Sequence, residues 1–297
     1  MRLLVVGASG FLGRNIVRAA AGGRWDVTGV YWRSRDFSRF AREHGVEAVR
    51  HDLLADTRAW SADACIYLAG NSDHLGSARA PLDDLQRNVG ALLRFLVGYS
   101  GSMVFMSSAA VYEGHRGLVS PSTSLRPTLP YAITKMACER YLAHFVAAGK
   151  LASATVLRLY YAYGPYDRET RLVPSLVRAA HAKDKTFCVT APRGALVDPM
   201  YADDVAKAAL AAASGRGEGE TMDLCAGDSH TVPALVRRAI ASQGWRLRLV
   251  VEPRAGERPP RFRSDPRPAR RTLRLGAYTP LGVGLRRYIE WRSGSGM

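Results

Sequence analysis

Cysteine is scarce and scattered in this chain: Cys65, Cys138, Cys188 and Cys225 are the only four, with no Cys-x-x-Cys pair and no histidine at ligand spacing. That excludes a zinc ribbon and a disulfide framework, and it predicts reduced thiols, as in a cytosol. No apolar run approaches the eighteen or more residues of a membrane-spanning helix, and the N-terminal MRLLVVGASG turns into glycines too soon for a signal peptide. A soluble, unprocessed, cytoplasmic protein is the expectation. Acids are few, 26 against 42 basic residues, for a formal charge of +16. Lysine is missing altogether from residues 237–297, where fifteen arginines face four acids and supply +11 of that charge. The asymmetry asks for an anionic partner: nucleic acid, a membrane surface or a phosphorylated small molecule. Aromatic residues are also missing from the most basic stretch, Arg254 to Arg274, apart from Phe262, which argues against a nucleic-acid surface.

What the chain does have is an ordinary globular composition, 297 residues at 47% hydrophobic, enough for one large core or two unequal ones. Short apolar runs alternate with helix-like segments through the first two thirds. Leu3 to Val6, Val27 to Tyr31, Ala64 to Leu68, Met103 to Met106 and Ala154 to Leu159 read as strands. Phe11 to Ala21, Leu82 to Tyr99 and Tyr131 to Ala148 carry apolar residues at three- and four-residue spacing, as amphipathic helices do. This is the pattern of an α/β fold, a parallel sheet covered by helices. From about Gly164 the pattern loosens, and Arg254 to Arg274, with eight arginines and Pro259, Pro260, Pro266 and Pro268, is expected to be irregular.

Val5-Val6-Gly7-Ala8-Ser9-Gly10-Phe11-Leu12-Gly13 reads as a strand, a glycine loop and the first turn of a helix. Glycines there let the backbone turn tightly and approach a pyrophosphate, while the helix N-terminus supplies a positive dipole end. Gly7, Ser9, Gly10, Phe11, Leu12 and Gly13 are therefore candidate dinucleotide contacts. A carboxylate at the end of the second strand would mark NAD; here the sequence runs Tyr31-Trp32-Arg33-Ser34-Arg35, with no acid before Asp36. Arg33 and Arg35 would suit a 2′-phosphate, so NADP is preferred over NAD. Asp52-Leu53 stands where an adenine contact is expected.

Tyr131 and Lys135 are four apart, so on a helix their side chains share a face. An ammonium beside a phenol favours the phenolate, as a general acid or base for carbonyl/alcohol interconversion requires. Ser107-Ser108, after the run Met103 to Met106, offers a hydroxyl to the same carbonyl.

With these residues in place the chain resembles the extended short-chain dehydrogenase/reductase family of NAD(P)-dependent nucleotide-sugar epimerases, dehydratases and reductases. The likeness spans nearly the whole sequence. It rests on Gly7, Gly10 and Gly13; Asp52-Leu53; Leu68-Ala69-Gly70; Asn88-Val89-Gly90; Ser107-Ser108 with Val111-Tyr112; Tyr131 and Lys135; RLYYAYGP from Arg158; Tyr201-Ala202-Asp203-Asp204-Val205; and Leu275 to Pro280. The resemblance implies a Rossmann-type doubly wound parallel sheet with a smaller, interleaved C-terminal substrate-binding region. The dinucleotide-binding part would take residues 1–163 and 195–212, and the substrate region residues 164–194 and 213–297. It further implies that Tyr131 is the acid/base, that Lys135 favours its ionisation and holds the nicotinamide ribose, that Ser108 steadies the substrate oxygen, and that Leu68, Ala69 and Gly70 line the cofactor. The helices beginning at Leu82 and Tyr131 form a dimer interface in such proteins, so a homodimer is expected.

Departures from the family pattern narrow the reaction. Dehydratases carry an Asp-Glu pair where this chain has Ala109 and Ala110, and neither alanine can move a proton. Hydride transfer at a single carbon remains. Arg33 and Arg35 favour an NADPH-dependent ketoreductase acting on a nucleotide-activated deoxysugar; the alternatives are a nucleotide-sugar 4-epimerase with retained NAD, and a ketoreductase on a non-nucleotide secondary metabolite. From a different class, the chain could be a non-catalytic dinucleotide-binding protein, a reading that the joint presence of Ser108, Tyr131 and Lys135 disfavours. An Asn that contacts the sugar in the family is Tyr161 here, and an Arg that grips the diphosphate is Val197. Ala109, Tyr161, Arg193 and Arg261 are candidate substrate contacts, and an anionic small molecule, neither nucleic acid nor membrane, is the expected partner. His74 and His115 fall in loops on the substrate side, Asn88 is a candidate support for the loop of Ser108, and Asp203-Asp204 read as a helix start.

Overall fold

The computed structural model describes residues 1–254 and 259–294. Its centre is a sheet of seven strands: β1 (Arg2–Val6), β2 (Asp26–Tyr31), β3 (Glu47–Arg50), β4 (Ala64–Tyr67), β5 (Ser102–Ser108), β6 (Ser153–Leu159) and β7 (Thr221–Leu224). They run in the order β7-β6-β5-β4-β1-β2-β3 with every pairing parallel. Parallel strands are covered on both faces, which is why β1 buries four consecutive residues instead of alternating. Leu3 and Val5 join a core on one face with Ile16, Ile66, Val104 and Val205. Leu4 and Val6 join the opposite core with Tyr67, Leu92, Phe105 and Leu142. The chain leaves β1 toward β2 on one side and β4 on the other, and at such a switch point the carboxyl ends of the strands open a crevice. The Rossmann-type doubly wound sheet expected from the sequence is the one observed.

Three helices pack against the sheet. Helix α1 (Phe11–Ala20) leaves the glycine loop and packs on α4 (Ala202–Ala213). Helix α2 covers 81–97 and contains a wide π-turn, Gln86–Gly90, that brings Asn88 inside. Helix α3 (Pro130–Ala147) starts with proline at its first position, where a missing N–H costs nothing. Asp203 and Asp204 do sit in the first turn of α4; Asp204 accepts the Thr279 N–H at 2.6 Å and Asp203 pairs with Arg18.

A third core, with Tyr163, Leu176, Phe187, Val236 and Leu285 in it, holds the C-terminal region. Helices α5 (Val232–Gln243) and α6 (Leu281–Gly294) and the parallel pair Thr186–Pro192 and Arg248–Arg254 build it. Two expectations fail here. Thr221–Leu224, assigned from sequence to the substrate region, is the edge strand of the central sheet, paired with β6. The described part of Arg254 to Arg274 is largely regular: Arg261–Ser264 is a strand parallel to Arg116–Val119, and Arg267–Thr272 is a helix. Two-residue alternation buries Phe262 and Ser264 and leaves Arg261 and Arg263 outside, while Pro266 and Pro268 fall at the helix start, where proline is tolerated. Residues 255–258 of that stretch, Arg258 among them, lie outside the described residues. Among the described residues, no helix is long and apolar enough to cross a membrane.

Candidate functional site

The crevice at the switch point is a cavity of about 580 Å³. Of the expected cofactor residues, Gly7, Ser9, Gly10, Arg33, Asp52, Leu53, Leu68, Ala69 and Gly70 line it. Phe11, Leu12, Gly13, Arg35, Tyr131 and Lys135 are not among its lining residues; the first three form the first turn of α1 beside it. The glycines are required. Gly7 has φ 88°, and a Cβ there would lie 2.8 Å from the Ala69 nitrogen; at Gly13 a Cβ would lie 2.4 Å from the Gly7 oxygen. The N–H groups of Gly7 and Ala8 are spent on the Val30 carbonyl at the end of β2, at 2.9 and 3.0 Å.

Asp36, the first acid after β2, is engaged outside the groove. Buried Arg14 of α1 donates to both oxygens of Asp36 at 2.9 Å, and Ser34 donates to the same carboxylate at 2.6 Å. The Ser34 bond, then Arg14, hold the Asp36 carboxyl below the usual range. Sequence reasoning missed Arg14, since nothing local ties it to a residue 22 positions away.

Tyr131 and Lys135 lie on one face of α3, both buried, with Ser108 buried at the end of β5. The Lys135 ammonium donates to the Met106 carbonyl at 3.1 Å and stands 4.9 Å over the Phe105 ring, so the lysine reaches the same end of β5 as Ser108. Ser108 Oγ accepts the Ala110 N–H at 3.1 Å and caps the short turn Ala109–Tyr112, which fixes its position. His74 stacks on the Tyr131 ring with centroids 4.3 Å apart. His115 instead meets the Ser124 carbonyl at 2.7 Å. A buried ion pair joins α3 to β6: Glu139 with Arg158 at 2.7 Å, where Arg158 also donates to the Tyr112 hydroxyl at 2.8 Å.

Asn88 does not support the Ser108 loop. Its amide oxygen accepts the Asn71 N–H at 2.8 Å, and its amide nitrogen donates to Asp84 and to Thr134, each at 3.0 Å. It therefore ties the loop after β4 to α3. Asp84 completes this node, accepting from Asn71 at 2.8 Å and from Thr134 at 2.7 Å. Its place four residues before Asn88 is the one sequence signal that could have found it.

On the substrate side the expected contacts separate. Tyr161 lies under the Arg171 guanidinium, 4.8 Å from ring centre to guanidinium carbon, and burial pushes its phenol upward. Arg193 and Arg261 are exposed and touch each other, Arg261 donating to the Arg193 carbonyl at 3.2 Å. Ala109 is buried in a small core with Val111, Tyr112 and Phe262. Val197 pairs in a short antiparallel ladder with His230, and the following Asp198 is structural: it accepts Ala226 N–H, Gly227 N–H and the Ser229 hydroxyl at 2.7, 3.1 and 2.9 Å. Burial pushes Asp198 upward despite these bonds. Asp167, fully buried, is pushed up to about 6 by its burial, with Arg171 at 3.6 Å opposing the shift.

A family model described as the NAD dependent epimerase/dehydratase family matches residues 3–225. An uncharacterized UDP-glucose epimerase, YtcB of Bacillus subtilis, is 24% identical, covering 99% of this chain and 98% of its own. Among solved structures, MoeE5 in complex with UDP-glucose and NAD aligns over 100% of both chains at 26% identity and TM-score 0.86. UDP-glucose 4-epimerase from Thermotoga maritima, with UDP-glucose, aligns over 100% of both chains at 23% identity and TM-score 0.86.

Proposed function

Because the chain belongs to the NAD dependent epimerase/dehydratase family, of the extended short-chain dehydrogenase/reductase type, we propose that it is a nucleotide-sugar 4-epimerase working through a retained NAD. The observation that carries this reading is that Lys135, one turn after Tyr131 on α3, reaches the end of β5 that carries Ser108, in a molecule with a groove whose backbone fits a dinucleotide. The fit rests on the cradle that Gly7 and Gly13 keep open and on the helix N-terminus behind it. Glycine-loop residues, with Asp52-Leu53 and Leu68 to Gly70, would hold the cofactor. When bound, NAD would supply the hydride acceptor and donor that the reaction needs. Tyr131 takes the proton from the sugar hydroxyl at carbon 4 and later gives it back. Lys135 favours the phenolate that does this, and the Ser108 hydroxyl donates to the reacting oxygen. Ala109 and Ala110 leave no acid/base pair for eliminating water.

The name of the Bacillus subtilis relative, and the NAD in the MoeE5 complex, support the epimerase over the NADPH ketoreductase that the two arginines favour from sequence alone. UDP-linked hexoses are the substrates that the names of the relatives and structural neighbours suggest. One observation keeps the reductase as a second reading: Arg33 lines the groove while Asp36 is held by Arg14. A dimer is part of the proposal, because Leu82, Leu85 and Val97 on α2 and Ile133 and Tyr141 on α3 are exposed apolar residues. Incubating the purified protein with UDP-glucose and UDP-galactose, with no added reductant, tests the reading. Interconversion with sub-stoichiometric dinucleotide is expected; turnover that stops without stoichiometric NADPH would replace the epimerase by the reductase.

A further inference from the structure

Residues 164–171 form a strap between the two parts of the molecule, at the rim of the groove. On one side the strap is fixed to α1 and its neighbours. Asn15 donates to the Pro165 carbonyl at 2.8 Å, and Arg171 stands 6.0 Å from the Phe11 ring. Tyr166 packs edge-on against Phe40 at 5.5 Å, with the Arg14 guanidinium 5.6 Å from its ring. On the other side α6 takes hold: Arg292 pairs with Glu169, and the Trp291 ring meets Tyr166 at 4.9 Å. Tyr166 has φ 66°, a conformation that non-glycine residues adopt only when their surroundings impose it. These contacts impose it.

Phe11 and Asn15 lie one turn apart on α1, so the strap runs over the first two turns of the helix that opens from the glycine loop. Arg168 lies between those two anchor points. Its N–H donates to Asp167 at 2.8 Å, and its carbonyl accepts the Arg171 N–H at 2.9 Å. Its exposed side chain lines the same cavity as Gly7, Ser9 and Gly10. A helix N-terminus offers amides to a phosphate, and an arginine facing the same space offers a charge-assisted partner.

Resting on the dinucleotide reading of the groove, we propose that Arg168 clamps the cofactor's pyrophosphate from the side of the C-terminal region, and that the strap, anchored by Arg292 and Trp291, makes the cofactor slow to leave. An enzyme that returns a hydride to the molecule it came from gains from keeping its cofactor, whereas a reductase must exchange it every turnover. The strap therefore favours retention.

Displacement of bound NADH by excess ADP-ribose, followed by the loss of nicotinamide fluorescence in the full chain, tests the clamp. Arg168→Ala is expected to speed release about tenfold, the loss of one charge-assisted contact. Arg168→Lys is expected to fall between the two, since a point charge remains without the planar fork. Arg292→Ala, which frees Glu169, should speed release as well. A release rate for Arg168→Ala within twofold of the parent overturns the clamp. So does an unchanged release rate accompanied by a raised sugar KM, which would put Arg168 on the substrate. A parent chain that binds no dinucleotide overturns the function reading and the clamp together; one that binds it but ignores Arg168 overturns the clamp alone.

Discussion

Around Tyr131 charged side chains are few, buried and each held by several partners, whereas the C-terminal region carries many arginines that lie at the surface with one or two. Lys135, Asp84 and the pair Glu139–Arg158 are all nearly enclosed. Arg267, by contrast, is 80% exposed beside Asp265, and Arg238 is 52% exposed beside Asp228. Charge density along a sequence is therefore a poor guide to where charge acts. Water screens the outer arginines, while the enclosed groups hold their geometry and field.

The sharpest way to break this contrast is at the phenol. Tyr131→Phe is expected to lower turnover by about a thousandfold while leaving dinucleotide affinity within about threefold, as titration of the purified variant would measure. Undiminished turnover would mean that the buried cluster is only structural. Glu139→Ala comes next: it strands the Arg158 charge inside the protein and should cost about 3–5 kcal/mol in urea unfolding. The matching outer change, Arg267→Ala, should leave the unfolding midpoint where it was. If both variants shifted it equally, burial would not be what separates the regions.

Asp167 sharpens the comparison through pH. Its folded carboxyl is pushed up to about 6 from an ordinary 3.8, so the folded state holds a proton that the unfolded chain gives up. Stability from this group is present below pH 3.8 and is lost as pH rises through 6. Asp167→Asn should consequently gain in Tm over the parent progressively between pH 4 and 7, by several degrees at the upper end. A constant difference across that range would contradict the shift. The smallest expected effect is at the exposed Arg33, where alanine should weaken NADP binding about tenfold and NAD binding little. Equal losses would remove the second reading.

The parts of the molecule that were legible from sequence are those written locally. Gly7 to Gly13 and Tyr131 with Lys135 each fit within a short stretch of chain, and the buried strands near them are unbroken apolar runs. The sheet strand at Thr221–Leu224 was not legible, because Asp223 interrupts its apolar pattern. That acid is satisfied by Tyr112 and Ser264, at 2.7 and 2.6 Å, from 111 and 41 residues away. Burial pushes its carboxyl upward against those bonds. Arg14 and Arg168 were missed for the same reason, since each acquires its role from neighbours that only the tertiary fold supplies. The basic tail misled in the opposite direction: its arginines are conspicuous in one dimension and dispersed over a surface in three.

The two-sided anchoring of residues 164–171 bears on how the protein is made. Apart from Arg168, the lining of the groove comes from the chain up to Ala91, but the strap at its rim is secured by Trp291 and Arg292, close to the C-terminal end of α6. A chain emerging from the ribosome can pair β1 through β6 long before those two residues exist. Assembly of the sheet and closure of the rim are thus separate events in time. Residues 164–171 are translated well before the two residues that anchor their far side.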